Sequence, residues 1–216
     1  MKKIIYFFCL FCSCSCFSQK IRGFGGFGIF LNKGFEKSSF FSIDGGLELK
    51  INNVIKPEIE IDYFFGALQD KTKEDINGFE TERLTRTISA STISVCSKIL
   101  LGNEEDNVRF QILPKYSISK VFGNGSLFTF DTTKQTYRKT DSDKYSEISH
   151  ALGIGIGILF DLSDDTFQSI AANLYYNNID LGNVLTNLKF NTTNFHTQQS
   201  LGIGINYYFS FSKRKK

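Results

Sequence analysis

Residues 195–211, FHTQQSLGIGINYYFSF, alternate with a period of two over more residues than a soluble strand usually runs. One side carries Phe195, Thr197, Gln199, Leu201, Ile203, Ile205, Tyr207, Phe209 and Phe211. The other carries His196, Gln198, Ser200, Gly202, Gly204, Asn206, Tyr208 and Ser210. Side chains two apart share a face of a strand, so one face is apolar and the other small or polar. The apolar face needs cover, and no stretch of the chain reads as a helix able to lie on it. The expected cover is lipid.

The start of the chain, MKKIIYFFCLFCSCSCFSQ, places Lys2 and Lys3 before an apolar run over residues 4–17. Fourteen residues span a bilayer poorly, and the arrangement is that of a secretory leader, residues 1–18, cleaved before Gln19. Four of the five cysteines fall inside it, leaving Cys96 alone and excluding an internal disulfide. A lipid-carrying Cys16 is disfavoured because Ser13-Cys14-Ser15 lacks the usual leucine. Without Lys2 and Lys3 the mature chain has 23 basic against 22 acidic residues, a balance that does not call for nucleic acid.

The chain holds 23 Phe and 18 Gly but only 2 Pro, which suits many long strands. Residues 20–31 form a glycine-rich strand with Phe on both sides, so its facing stays ambiguous. A second strand alternates Phe41, Ile43, Gly45, Leu47, Leu49 and Ile51 with Ser42, Asp44, Gly46, Glu48 and Lys50. Asn52-Asn53 is a two-residue turn, its asparagines suited to positive φ. A third strand alternates Ile55, Pro57, Ile59, Ile61, Tyr63 and Phe65 with Lys56, Glu58, Glu60 and Asp62. Pro57 belongs near its start or at a bulge.

Residues 67–82 are charged and aperiodic, a loop. The fourth strand ends at Leu101, and its phase slips between Ile88/Ala90 and Ile93/Val95, suggesting a bulge or a rim extension near Ser91-Thr92. A fifth strand runs from Val108 to Ser119, and residues 123–147 read as the longest loop. The sixth sets Leu152, Ile154, Ile156, Ile158 and Phe160 against Gly153, Gly155 and Gly157. A turn at residues 163–166, a seventh strand over residues 167–177 and a loop over residues 178–194 lead back to the last strand.

Eight strands result. Connections after the even-numbered strands are short and those after the odd-numbered ones long, as expected of periplasmic turns and outer loops. Backbone groups cannot stay unpaired in hydrocarbon, so the sheet must close. The expected fold is all-β: a closed antiparallel eight-stranded up-and-down transmembrane β-barrel over residues 19–211, followed by a basic periplasmic tail over residues 212–216.

Alternation alone does not say which face is outside, since a secreted lipocalin-like barrel has its apolar face inward around a ligand. Glycine on strands six and eight would make a poor soluble exterior and suits a crowded interior. The same face of strands two to five carries Asp44, Glu48, Lys50, Lys56, Glu58, Glu60, Asp62, Lys98, Arg109 and Lys115, five acidic and five basic side chains. An interior of crossed ion pairs follows, because buried charges persist only when paired. Aromatics near strand ends, Phe40, Phe41, Phe64, Phe65, Tyr175, Tyr176, Tyr207, Tyr208, Phe209 and Phe211, are placed in interfacial girdles.

This layout resembles the small eight-stranded outer-membrane β-barrels, the OmpA-like group. It is most similar to the outer membrane protein β-barrel domain proteins of Bacteroidetes-type bacteria, which share the Ile-, Asn-, Lys- and Phe-rich composition and the Ser18-Gln19 cleavage point. The last strand resembles the signal read by the barrel-assembly machinery, with Gly204, Tyr207 and Phe209 in register. It departs from that signal at Gly202, where a polar residue is usual, and in the extension SKRKK. The resemblance implies an outer-membrane location and the assembly machinery and membrane lipid as partners.

No metal-ligand spacing, P-loop or Gly-x-Ser-x-Gly is present, and the Gly-x-Gly repeats open no helix, so neither cofactor nor catalytic centre is expected. His150 and His196 lie at the loop side on opposite phases and read as rim histidines, and Cys96 reads as an inert lumen thiol. The expected role is structural or binding, through outer loops 122–147 and 178–194 and an extracellular or envelope partner. The alternatives are a narrow channel, in which Glu60 or Asp62 rearranges against Lys115, and an accessory barrel of an envelope secretion machine.

Overall fold

A computed structural model describes residues 21–32, 35, 39–103, 106–162, 168–190 and 199–210. The expected leader, the expected start of the last strand with His196, the expected turn at 163–166 and the expected tail over residues 212–216 lie outside the described residues.

Eight antiparallel strands follow one another round a ring: β1 Ile21–Asn32, β2 Ser39–Leu49, β3 Ile55–Glu74, β4 Glu80–Leu101, β5 Val108–Asp131, β6 Thr136–Asp161, β7 Ser169–Asn177 and β8 Ser200–Ser210. β1 pairs with β8 from Arg22↔Ser210 to Asn32↔Ser200, which closes the barrel and leaves neither strand as an edge. Every strand carries outward apolar side chains, with Phe27, Ile43, Ile61, Ile93, Phe110, Leu152, Leu174 and Ile203 all 47–68% exposed. The facing of β1 is now resolved: Arg22, Phe24, Phe30 and Asn32 are buried, whereas Phe27, Ile29 and Leu31 face out.

Four expectations are corrected. Residues 67–82 and 123–147 are largely strand, not loop, so β3 to β6 run for 20, 22, 24 and 26 residues against 9 to 12 for the others. β3 and β4 pair beyond Gly66, the last β3 residue held by β2, and their hairpin extends by about 26 Å of strand. Those extensions lack a continuous apolar face, so hydrophobic alternation does not mark them. Second, of the bulge and the rim extension read near Ser91-Thr92, the bulge is absent: the β4–β5 register runs unbroken there, and the β3–β4 register shifts instead between Leu68 and Lys71, within the extension. The phase of β4 slips only in chemistry, because Ile88 and Ala90 face an apolar part of the interior.

The third correction concerns Asn52-Asn53. Among the described residues only Gln135, Gly78 and Gly102 have positive φ. The turn is made instead by the Asn52 side chain, whose Oδ1 accepts from Val54 N at 2.9 Å and Ile55 N at 2.6 Å, while β2 has already ended at Leu49. Fourth, the proposed aromatic girdle divides. Phe41, Phe65 and Tyr207 face out, but Phe40, Phe64 and Tyr208 are buried inside, where Tyr175 packs as well.

Candidate functional site in the barrel interior

Near the short-turn end, β1, β2, β3 and β4 bring charged side chains together because each strand places every second residue inward. The Arg22 guanidinium grips Glu48 in a fork, Nε to Oε1 at 2.7 Å and Nη2 to Oε2 at 3.0 Å. Lys98, fully buried, donates to Glu48 at 2.8 Å and to Glu58 at 3.1 Å, and its Nζ lies 3.6 Å from the centroid of the Tyr208 ring. Arg22 also donates to Ser169 Oγ, which donates to Asp161, and Asp161 pairs in turn with Arg109. Phe24 and Tyr208, rings 5.2 Å apart, pack with Leu100, Leu159 and Ala171 between these charges. Lys56 is buried too, whereas Lys50 lies just past the end of β2 and is half-buried.

Midway, Lys115 Nζ meets Glu60 at 2.6 Å. Asp62 accepts from Ser94 at 3.2 Å, and Ser94 continues to Ser117. Asp44 accepts from Asn206, whose Oδ1 receives Asn173 and the Tyr175 hydroxyl at 2.8 and 3.0 Å. Carboxylate oxygens of Asp44, Glu60 and Asp62 lie within 4.8 Å of one another, an oxygen set of the kind that takes hard cations. Each of the three already has a protein partner. Cys96, beside them, is fully buried.

The glycine face of β8 receives rings rather than charges. A Cβ on Gly202 would run into the Phe30 ring, and one on Gly204 would stand 2.8 Å from the Tyr175 ring.

Towards the hairpin end the interior becomes apolar. Residues 178–194, expected to be an outward binding loop, turn inward over residues 179–188. A single helical turn, α1 (Asn183–Thr186), sits there, and Ile179, Leu181, Val184, Leu185 and Leu188 are buried against Phe30, Phe40, Phe64, Ile88 and Val121. Val184 rests on Gly123 and Leu188 on Gly125, where a β-carbon would come within 3.1 and 3.3 Å of them. Polar ties fix the segment along β6: Asn183 Nδ2 to Glu147 at 2.6 Å, and Lys189 Nζ to Asp141 at 3.0 Å. That bond holds the Asp141 carboxyl below its usual range. These ties lie along β6 beyond Ile154, where its pairing with β7 stops.

The positions singled out in the sequence thus fall into two interior layers, with Glu48, Glu58 and Lys98 in one and Asp44, Glu60, Asp62 and Lys115 in the other. Arg109 joins the first through Asp161. Arg22 and Asp161 escape the sequence reading, the first because β1 carries phenylalanine on both faces, while Asn206 is placed there on the polar face of the last strand without being singled out. Of the last-strand residues, Gly204 faces in, while Tyr207 faces out and stacks on Phe209 at 6.3 Å. His150 is exposed, with Nδ1 2.9 Å from the Tyr116 hydroxyl.

No family model matches the chain, and no curated protein matches it. Among solved structures the chain is similar to Neisserial surface protein A, at 10% identity and a TM-score of 0.43, over 88% of this chain and 96% of that one. It is also similar to a major outer membrane protein from Thermus thermophilus, at 11% identity and 0.47, over 88% and 99%. A third is Ail, the attachment invasion locus protein of Yersinia pestis, at 13% identity and 0.38, over 88% and 97%.

Proposed function

We propose that this chain is an integral outer-membrane barrel with a filled interior, whose role is structural or binding and is exercised by the hairpins of β3 to β6. The observation that carries this reading is the inversion of an ordinary soluble sheet. Ion pairs lie inside, and a belt of Ile, Leu, Val and Phe faces out on all eight strands. Water outside would leave that belt uncovered on every side, whereas hydrocarbon matches it. Gly204, Tyr207 and Phe209 then serve as the assembly signal, and the short turns face the periplasm.

A conducting pore is the weaker reading, because ion pairs with Tyr208, the Asp44–Asn206 network and the segment over residues 179–188 successively fill the interior. The test is refolding of the mature protein into lipid, followed by heat-modifiable gel mobility and single-channel recording. A folded, electrically silent barrel is expected. Discrete openings that change when Glu60 or Lys115 is neutralised would replace this reading with the channel.

The belt makes its own prediction. Ile156 is 53% exposed on the outer face of β6, and Ile156→Arg is expected to destabilise the lipid-embedded barrel by about 2–4 kcal/mol if it lies near the midplane. A denaturant midpoint in vesicles reads this directly. A secreted, water-soluble barrel would instead tolerate or benefit from the arginine.

A further inference from the structure

The β3–β4 hairpin ends in Asp75-Ile76-Asn77-Gly78-Phe79, and its tip exposes Ile76 completely and Phe79 by 70%. The turn is internally braced. Asp75 Oδ1 accepts from Asn77 N at 2.8 Å and Phe79 N at 2.9 Å, Asp75 N donates to the Phe79 carbonyl, and Gly78 takes the positive φ of 79° that the bend requires. Two large apolar side chains are therefore held out on a braced support, and little further ordering is needed on contact.

The neighbouring β5–β6 turn differs in charge. Over residues 70–83 five acidic side chains face three basic ones, whereas residues 131–139 hold Lys134, Arg138 and Lys139 against Asp131 alone. The two turns are adjacent: Tyr137 Oη lies 3.4 Å from the Glu80 carbonyl, and Arg83 covers the Tyr137 ring at 4.5 Å. Arg83 also holds Glu80 in a fork at 2.7 and 3.2 Å, which keeps that carboxyl below its usual range and charged at neutral pH. Phe130 and Tyr137, rings 5.3 Å apart, add a half-buried aromatic pair to the basic turn.

An acidic apolar tip beside a basic aromatic one is self-complementary. A two-fold axis between the tips sets each against the other's opposite, the requirement for an isologous contact. We propose that two copies of this chain associate through their hairpin ends, the acidic β3–β4 tip of each meeting the Lys134–Arg138–Lys139 side of the other while Ile76 and Phe79 pack towards its Phe130–Tyr137 pair. This rests on the reading above only in taking the hairpin end as the face turned outward from the membrane. In that arrangement the contact joins barrels held in two facing membranes.

The test uses the folded mature protein in detergent, with heat-modifiable mobility confirming the barrel in every sample. Sedimentation equilibrium from about 1 to 200 μM is expected to show a monomer–dimer equilibrium that weakens with salt. Ile76→Ser with Phe79→Ser should weaken it at least about tenfold, since each copy loses both anchors. Charge reversal then separates self-recognition from general stickiness. One variant carries Lys134→Glu, Arg138→Glu and Lys139→Glu, and the other Asp70→Lys and Glu74→Lys. Each is expected to be more monomeric alone, and the two mixed should regain association. A wild-type protein that stays folded and monomeric throughout, or a dimer indifferent to both sets of changes, overturns the proposal and leaves the barrel reading intact.

Discussion

Lys98→Met is expected to cost the folded barrel about 3–5 kcal/mol, the loss that follows when one partner of a buried ionic network is removed. Lys98 is fully buried, and its ammonium is the shared donor to Glu48 and Glu58. Methionine fills similar space but gives those carboxylates nothing. Glu48 keeps the Arg22 fork, whereas Glu58 takes its hydrogen bond from Lys98, so the cost should fall mainly on Glu58. Accordingly, Lys98→Met with Glu58→Gln should recover much of the loss, because an amide without a charge is cheaper to bury than a carboxylate. The chain has no Trp, so the measurement is a urea titration of the lipid-embedded protein read by heat-modifiable mobility. Equal midpoints for the wild type and the single variant would show that Lys98 does not hold the layer together.

How far this layer was legible depended on whether each strand showed a clean alternation. Glu48, Glu58, Glu60 and Asp62 alternate with Leu47, Leu49, Ile59 and Ile61, so their phase was readable. Arg22 was not, because Phe24 and Phe27 fall on opposite faces of β1 and both are apolar for different reasons, one inside against Tyr208 and one on the outer belt. Hydrophobicity reports burial or lipid alike, and it cannot distinguish them within a single strand. The same degeneracy made Ile88 and Ala90 look like a slipped register when they line an apolar compartment.

Strand extensions failed for another reason. Residues 67–74 and 136–147 pair in ladders that carry register shifts, and most of their side chains meet water or one another, so nothing imposes a period of two. A backbone ladder leaves no signature when neither face is buried. Residues 178–190 hid their inward turn in a similar way. Ile179, Leu181, Val184, Leu185 and Leu188 fit neither a strand nor a helix of useful length, and their partners come from β1 through β5. Only the closed ring brings those partners to one place.

The second large effect lies in that segment. Val184→Asp with Leu185→Asp is expected to release residues 179–188 from the barrel mouth while the ring stays closed. Both side chains are fully buried, and each contributes about 1.5–3 kcal/mol through burial. Carboxylates at those positions would also have to be dehydrated against Ile88 and Val121, so the docked state loses on both counts. The loss should remain local, because β7 and β8 keep their ladder from Ser169↔Tyr208 to Asn177↔Ser200 whatever the connection between them does. Protease cleavage within residues 178–190 is expected to rise at least about a hundredfold, with heat-modifiable mobility unchanged. Conductance should nonetheless stay silent, since Lys98, Tyr208 and the Arg22–Glu48 fork still block the short-turn end. Openings produced by releasing the segment alone would mean that the ionic layer passes ions and that residues 179–188 are the seal, which would turn the proposed closed barrel into a gated one.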